Sequence, residues 1–125
     1  AAAVGVSPLL LLAIMEKESS LRHDAQSRYG AIGLMQVVPR FHKDRLRADD
    51  PPEGLKDPRT NIRVGAQVLA QYLKQQKGDL TRALRKYSGN ARQYPERVLR
   101  FKAKLREQIV LARKASDPVH AASSQ

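Results

Sequence analysis

The sequence predicts a single all-α domain. Apolar residues recur at helical spacing in four segments, no stretch alternates apolar and polar residues long enough to specify a strand, and Pro, Gly and Ser clusters separate the segments. The chain has 125 residues. A domain of that size buries roughly two thirds of its unfolded surface, so a core forms without crosslinks. No internal repeat is present.

Taken in order, Ser7 is an N-cap with Pro8 at the first helical position. Leu9 through Met15 are apolar on every side, which predicts a helix buried all round. The run is too short to span a bilayer. No basic residue precedes it and it continues into Glu16-Lys17-Glu18, unlike a signal-peptide core. The opening Ala1 in place of Met leads us to expect a processed product or an excised fragment.

Residues 30–39 (GAIGLMQVVP) contain two glycines and end in Pro39, predicting a turn and then a short helical piece. Residues 48–58, with Asp49-Asp50-Pro51-Pro52 and Gly54, read as a surface loop. Ile62, Val64, Ala66, Leu69, Tyr72 and Leu73 predict a helix that stops by Gly78. Leu80, Ala83, Leu84 and Tyr87 predict another, ending before Ser88-Gly89-Asn90. Pro95 opens the longest helix, with Val98, Phe101, Leu105, Ile109 and Ala112 along one face. The expected domain is 1–115, with a frayed tail from Ser116.

Charge is uneven. Lys and Arg number 23 against 12 Asp and Glu, a net +11. From Thr60 to Lys114 there are 14 basic and 3 acidic residues, while the rest of the chain is balanced. This asymmetry predicts attraction to a polyanion: nucleic acid, anionic lipid or cell-wall polymer. With no cysteine, disulfides, thiolate metal sites, iron–sulfur clusters and cysteine nucleophiles are excluded. His23, His42 and His120 lie too far apart for a helical metal pair and read as surface residues. GAIG is not a phosphate-binding loop, and no GxSxG elbow occurs. A 42% hydrophobic content argues against wholesale disorder.

One carboxylate stands at the end of the most apolar helix. Glu18 continues the stripe Leu11, Ile14, Met15, and partial burial there would raise its pKa toward what a glycosidase general acid needs. Glu16 continues an equally apolar stripe of Leu9, Leu12 and Ala13, so periodicity leaves both open. A Glu18 that merely ends the helix in solvent fits the spacing as well.

The run ESSLRHDAQSRYGAIGLMQVVP, Glu18 to Pro39, resembles the signature of the soluble-type (SLT) lytic transglycosylases of the lysozyme-like, goose-type superfamily. Its elements are Glu-Ser, a Ser nine residues after the Glu, then Gly-Ala-x-Gly-Leu-Met-Gln and a Pro. Asn61-Ile62 with Gly65 resembles the family's next element, and ALRKYSG, Ala83 to Gly89, resembles a segment that often reads Ala-x-x-Tyr-Asn-Ala-Gly. Two departures stand out. Arg22, His23 and Asp24 occupy positions where the family commonly has Pro, and Ser88 replaces the usual Asn.

The resemblance implies a lysozyme-like fold. It also implies cleavage of the β-1,4 bond between N-acetylmuramic acid and N-acetylglucosamine in peptidoglycan, leaving 1,6-anhydromuramoyl ends. Glu18 would be the sole catalytic carboxylate, acting as acid and then as base. Ser27 would bond near the acetamido group, unless it only caps a turn. Gln36 would bind sugar polar groups, unless it is a surface amide. Met35 would pack beneath the site, the Tyr87 hydroxyl would reach the catalytic Glu unless Tyr87 is a core aromatic with a wet tip, and Ser88 would contact sugar. Tyr29 and Tyr94 would offer stacking faces.

The implied protein needs no metal or cofactor, is a monomer, and acts on peptidoglycan glycan strands in the periplasm or cell envelope, a phage-associated role included. Two rivals compete. One is a lysozyme- or chitinase-like hydrolase using Asp24 or Asp49 to activate water. The other is a basic nucleic-acid-binding module. It accounts for the charge but leaves Glu-Ser and GAIGLMQ without a role, and the six aromatics are not interleaved with basic residues. In the favoured reading the charge is a docking field on the later helices, carried by Arg97, Arg100, Lys104 and Arg106, and the chemistry draws only Tyr87 from the basic half.

Overall fold

The computed structural model describes residues 6–116. Four α-helices form in the order read from the sequence: α1 (Pro8–Ser19), α2 (Pro58–Gln75), α3 (Leu80–Tyr87) and α4 (Tyr94–Ser116). Helix α1 packs against α4, α2 against α3, and α3 against α4. No helix among the described residues is long and apolar enough to cross a membrane.

The Ser7 side chain caps α1 by accepting from the Leu10 N–H at 3.4 Å, with Pro8 at the first helical position. Leu10, Leu11, Ala13, Ile14 and Met15 are buried, but Leu12 meets solvent, so the helix is not enclosed all round. Ser20 and Leu21 then take left-handed conformations (φ 52° and 61°), and their N–H groups return to the Glu16 and Met15 carbonyls. This stops the helix one turn past Met15, directly after Glu18-Ser19.

Residues 30–38 do not supply the expected helical piece. Gly30, Gly33 and Gln36 have φ of 86°, 79° and 50°, which no right-handed helix accommodates. Ile32 instead forms isolated antiparallel bridges with Gln26 and Val37. Helical backbone comes later, as single 3-10 turns at Pro39–Phe41 and Lys43–Arg45. The surface loop of residues 48–58 is also corrected: a 3-10 turn at Gly54–Lys56 drives Leu55 into the core.

Asn61 ties this irregular segment together. Its Oδ1 accepts from the Met35 N–H at 2.8 Å, and its Nδ2 donates to the Ile32 and Leu55 carbonyls, each at 2.8 Å. Two glycines allow the approach. A Cβ on Gly33 would collide with the Asn61 side chain, and one on Gly65 would lie 2.6 Å from Met35 Cβ. Arg63 fixes the outer part of the loop through a two-pronged bond to Asp50 at 2.6 and 2.7 Å, which holds that carboxyl down at about 2.

Asp57 and Asp79 cap α2 and α3 by accepting from the Thr60 and Arg82 N–H groups at 3.0 and 3.1 Å. Helix α4 departs from its expected burial. Val98 is enclosed and Phe101 and Leu105 are half-buried, but Ile109 and Ala112 are exposed. Length explains this. The 12 residues of α1 reach about 18 Å, whereas the 23 of α4 reach about 35 Å, so its second half outruns its partner. Ser116 is helical and is the last described residue; the remainder of the expected tail, His120 included, lies outside the described residues, as does Ala1.

Candidate active site

The last turn of α1 carries Glu18 to a cleft of about 460 Å³, walled by the 27–42 segment, by Val68 and Tyr72 of α2, and by Lys86 to Gly89 at the end of α3. Ser19 fixes this turn: its buried hydroxyl lies 2.9 Å from both the Met15 and Leu34 carbonyl oxygens, tethering α1 to the GLMQ segment. The geometry separates the two glutamates that periodicity left open. Glu18 lines the cleft, whereas Glu16 lines a separate depression beside Arg97 and Phe101 of α4.

Glu18 is the only carboxylate on the cleft wall among the described residues. Burial pushes its carboxyl above the ordinary range, against smaller downward pulls from a Tyr94 hydrogen bond and the charge of Lys17. Asp24 and Asp49 are exposed and neither lines the cleft.

Tyr87 does not reach Glu18. Its hydroxyl donates at 2.7 Å to the carbonyl oxygen of Met35, the residue whose N–H the Asn61 side chain holds. The phenol that reaches the acid is Tyr94, donating to Glu18 Oε2 at 2.9 Å. Only 3% of Tyr94 is exposed, so it offers no stacking face. Its spacing from Val98 held the signal, since the two fall four apart on the packed side of α4.

Ser27 lines the cleft, and its Oγ accepts from the Tyr29 and Ala31 N–H groups at 3.2 and 3.0 Å, leaving the hydroxyl proton free to donate. Gln36 also lines it. Its Nε2 donates to the Ala25 and Gly33 carbonyls at 3.1 and 2.9 Å, so the side-chain oxygen remains the free acceptor. Met35 is fully buried against Gly65. The Ser88 hydroxyl, on the cleft rim, donates to the Arg85 carbonyl at 3.0 Å and accepts from the Ala91 N–H at 3.2 Å.

The cleft wall holds further residues. Tyr29, expected there, is 79% exposed; Phe41, which the sequence did not point to, joins it at 65%, with Arg40 stacked 4.7 Å from its ring centre. An aromatic between Arg40 and His42 in a polar stretch was the available signal for Phe41. His42 is corrected from surface residue to half-buried cleft residue, and burial with neighbouring Arg45 lowers its pKa, favouring the neutral ring. Lys86 lines the cleft as well, 4.8 Å from the Tyr72 ring centre. The basic half therefore contributes Val68, Tyr72, Lys86, Ser88 and Tyr94 in addition to Tyr87.

The Tyr94 bond stabilises the ionised form of Glu18, so its removal has a defined sign. In Tyr94→Phe the Glu18 pKa rises further. A carboxyl titration followed by NMR measures this, and an unmoved or lowered Glu18 pKa in the variant would contradict the role given to the Tyr94 bond.

The domain is thus helical, with one half-buried carboxylate on the wall of an open cleft flanked by exposed aromatics. The chain belongs to the Transglycosylase SLT domain family, whose sequence model matches residues 1–109. It is 43% identical over 72 residues to the membrane-bound lytic murein transglycosylase C of Actinobacillus pleuropneumoniae, covering 53% of this chain and 20% of that protein. To the protein of the same name in Yersinia pestis it is 41% identical over 76 residues, 56% of this chain and 21% of that one. The chain thus spans about a fifth of these relatives. Its fold is similar to that of an inactive mutant of the lytic transglycosylase Slt from Pseudomonas aeruginosa, with a TM-score of 0.75 and 24% identity over 86% of this chain and 23% of that one.

Proposed function

We propose that this domain, residues 1–115, is a peptidoglycan lytic transglycosylase that cleaves the β-1,4 bond from N-acetylmuramic acid to N-acetylglucosamine and leaves a 1,6-anhydromuramoyl end. The observation that carries the reading is the single half-buried carboxylate of Glu18 on the cleft wall. Its raised pKa suits a general acid, and a cleft lining whose one carboxylate is Glu18 favours a reaction that consumes no water.

Protonated Glu18 donates to the glycosidic oxygen as the bond to the muramoyl anomeric carbon breaks. The acetamido oxygen of the same sugar shields the positive charge that develops there, so no enzymic nucleophile is needed. Glu18, now ionised, takes the proton of the muramoyl 6-hydroxyl, whose oxygen closes onto the anomeric carbon. The carboxyl ends the cycle protonated. Tyr94 donates to Glu18 Oε2 and stabilises the ionised form between the two transfers. The free Ser27 proton and Gln36 oxygen are placed to bind sugar acetamido and hydroxyl groups. Tyr29 and Phe41 offer faces to sugar rings. Peptidoglycan as substrate and the names of the relatives support a cell-envelope location.

Borohydride reduction of products from purified peptidoglycan tests the reading. Anhydro ends are expected to resist reduction. New ends that reduce to sugar alcohols would mark a hydrolase and overturn the proposal.

A further inference from the structure

Several donors on the cleft wall are spent inside the protein. The Tyr87 hydroxyl is held by the Met35 carbonyl, the Gln36 amide by the Ala25 and Gly33 carbonyls, and the Ser88 hydroxyl by the Arg85 carbonyl. His42, which lines the same cleft, is engaged on one edge of its ring alone. Its Nδ1 accepts from Arg45 Nε at 3.4 Å. Its Nε2 has no partner among the described residues. The one buried side-chain polar atom left unpartnered among them is Arg63 Nε, so His42 Nε2 is open to solvent.

Helix α2 sets the edge that faces Arg45. The Gln71 side-chain oxygen holds the Arg45 guanidinium. About two turns earlier on the same helix, Arg63 Nη2 donates to the Arg45 carbonyl at 3.2 Å. Gripped at these two points, the Lys43–Arg45 turn presents the Arg45 Nε–H to the ring. A guanidinium has only donors, so Nδ1 is the bare nitrogen, and the single proton of the neutral imidazole sits on Nε2. Burial and the Arg45 charge both disfavour a second proton, against a smaller opposite pull from Asp44. Glu18 of α1 and Lys86 of α3 are the other charged side chains on the cleft wall.

A neutral ring with one open N–H is a fixed hydrogen-bond donor, and it suits an uncharged acceptor oxygen. A glycan chain offers two kinds, hydroxyl and acetamido carbonyl. We propose that His42 binds the substrate through its Nε2–H, donating to a neutral oxygen of the glycan seated in the cleft, and that Arg45 and Gln71 position the ring in the tautomer this requires. This rests on the function proposed above and adds a specific glycan contact to it.

His42→Phe keeps a planar ring and removes both nitrogens, whereas His42→Gln sets an amide N–H near where Nε2–H stood. The bonds that shape the flanking turns, from the His42 N–H to Pro39 and from the Arg45 N–H to the His42 carbonyl, are backbone ones and survive both changes. On soluble glycan, His42→Phe is expected to raise KM about three- to tenfold with kcat unchanged, the worth of one neutral hydrogen bond. His42→Gln is expected to recover most of that loss. The same comparison on glycan de-N-acetylated at its glucosamine residues identifies the acceptor: a penalty that vanishes assigns the acetamido oxygen, and one that persists assigns a hydroxyl. Nitrogen NMR of the ring reads the tautomer. At neutral pH the wild-type proton is expected on Nε2, and in Arg45→Met the Nδ1–H form is expected to appear as the imidazole pKa rises. An unchanged KM in His42→Phe, an equal rise in His42→Gln, or an Nδ1–H ring in wild type would overturn the proposal. Failure of wild type to release anhydro ends from untreated glycan would instead overturn the parent function.

Discussion

Glu18→Gln is expected to lower the release of anhydro ends about a thousandfold or more, since a positioned acid–base contributes roughly a hundred- to ten-thousandfold and in the proposed reaction one group serves both proton transfers. The amide matches the carboxyl in shape and can still accept from Tyr94, so the cleft survives. Stability supplies an internal control. Burial raises the folded pKa of Glu18 above its unfolded value, so the wild type is favoured below the ordinary carboxyl range and loses stability as pH rises through the folded pKa. The substituted amide does not titrate. The melting temperature of the variant, relative to wild type, is therefore expected to climb over that same window. An inactive variant that is also unstable at every pH would indicate a structural role for Glu18. Thermal melts across a pH series, run beside product analysis, distinguish the two.

Asn61→Ala is expected to have the largest effect on stability. Asn61 is 1% exposed and satisfies one backbone N–H and two backbone carbonyls of the irregular segment. Each buried group left without a partner costs about 1–3 kcal/mol, and partial relaxation brings the sum to roughly 3–5 kcal/mol. A fall in melting temperature on the order of 10 °C or more follows for a domain of this size. Asn61→Asp is expected to be no milder at neutral pH, because it sets a carboxylate oxygen against the Ile32 and Leu55 carbonyls. Urea unfolding measures both, and a loss below about 1 kcal/mol in Asn61→Ala, no more than an ordinary hydrogen bond, would remove Asn61 as the clamp. The site registers the change as well, since the clamp fixes Met35, whose carbonyl anchors Tyr87 and whose neighbour is Gln36.

The helices were legible because their signals are local. Ser7-Pro8 is a cap readable from two residues, and α3 follows its apolar stripe to Tyr87, while the caps at Asp57 and Asp79 emerge from the structure. What the sequence did not reveal depends on distant partners. Residues 30–38 take their shape from a side chain more than twenty positions away, at Asn61, which no local pattern exposes. The stripe of α4 is real, but its burial ends where α1 ends, and helix length alone does not say which partner stops first.

The candidate site divides in the same way. Glu18, Ser27, Gln36, Tyr87 and Ser88 share a cleft, and motif spacing brought them forward as a group. Motif matching also assigned the hydroxyl of Tyr87 to the acid, where the fold uses Tyr94, some 76 residues from Glu18 in sequence. Arg97, Arg100, Lys104 and Arg106, the expected docking charges, lie along α4, and the cation on the cleft wall among the described residues is Lys86 of α3. Net charge located the basic half without locating the face.

Digestion of peptidoglycan in heavy-oxygen water, followed by mass spectrometry of the new muramoyl ends, tests the single-carboxylate reaction most directly. With Glu18 as acid and then base, the attacking oxygen is the substrate's own 6-hydroxyl. The new ends are expected to be one water lighter than reducing ends and to carry no heavy oxygen. Incorporation of one heavy oxygen at each new end would show that water attacks the anomeric carbon, and would contradict the reaction assigned to Glu18.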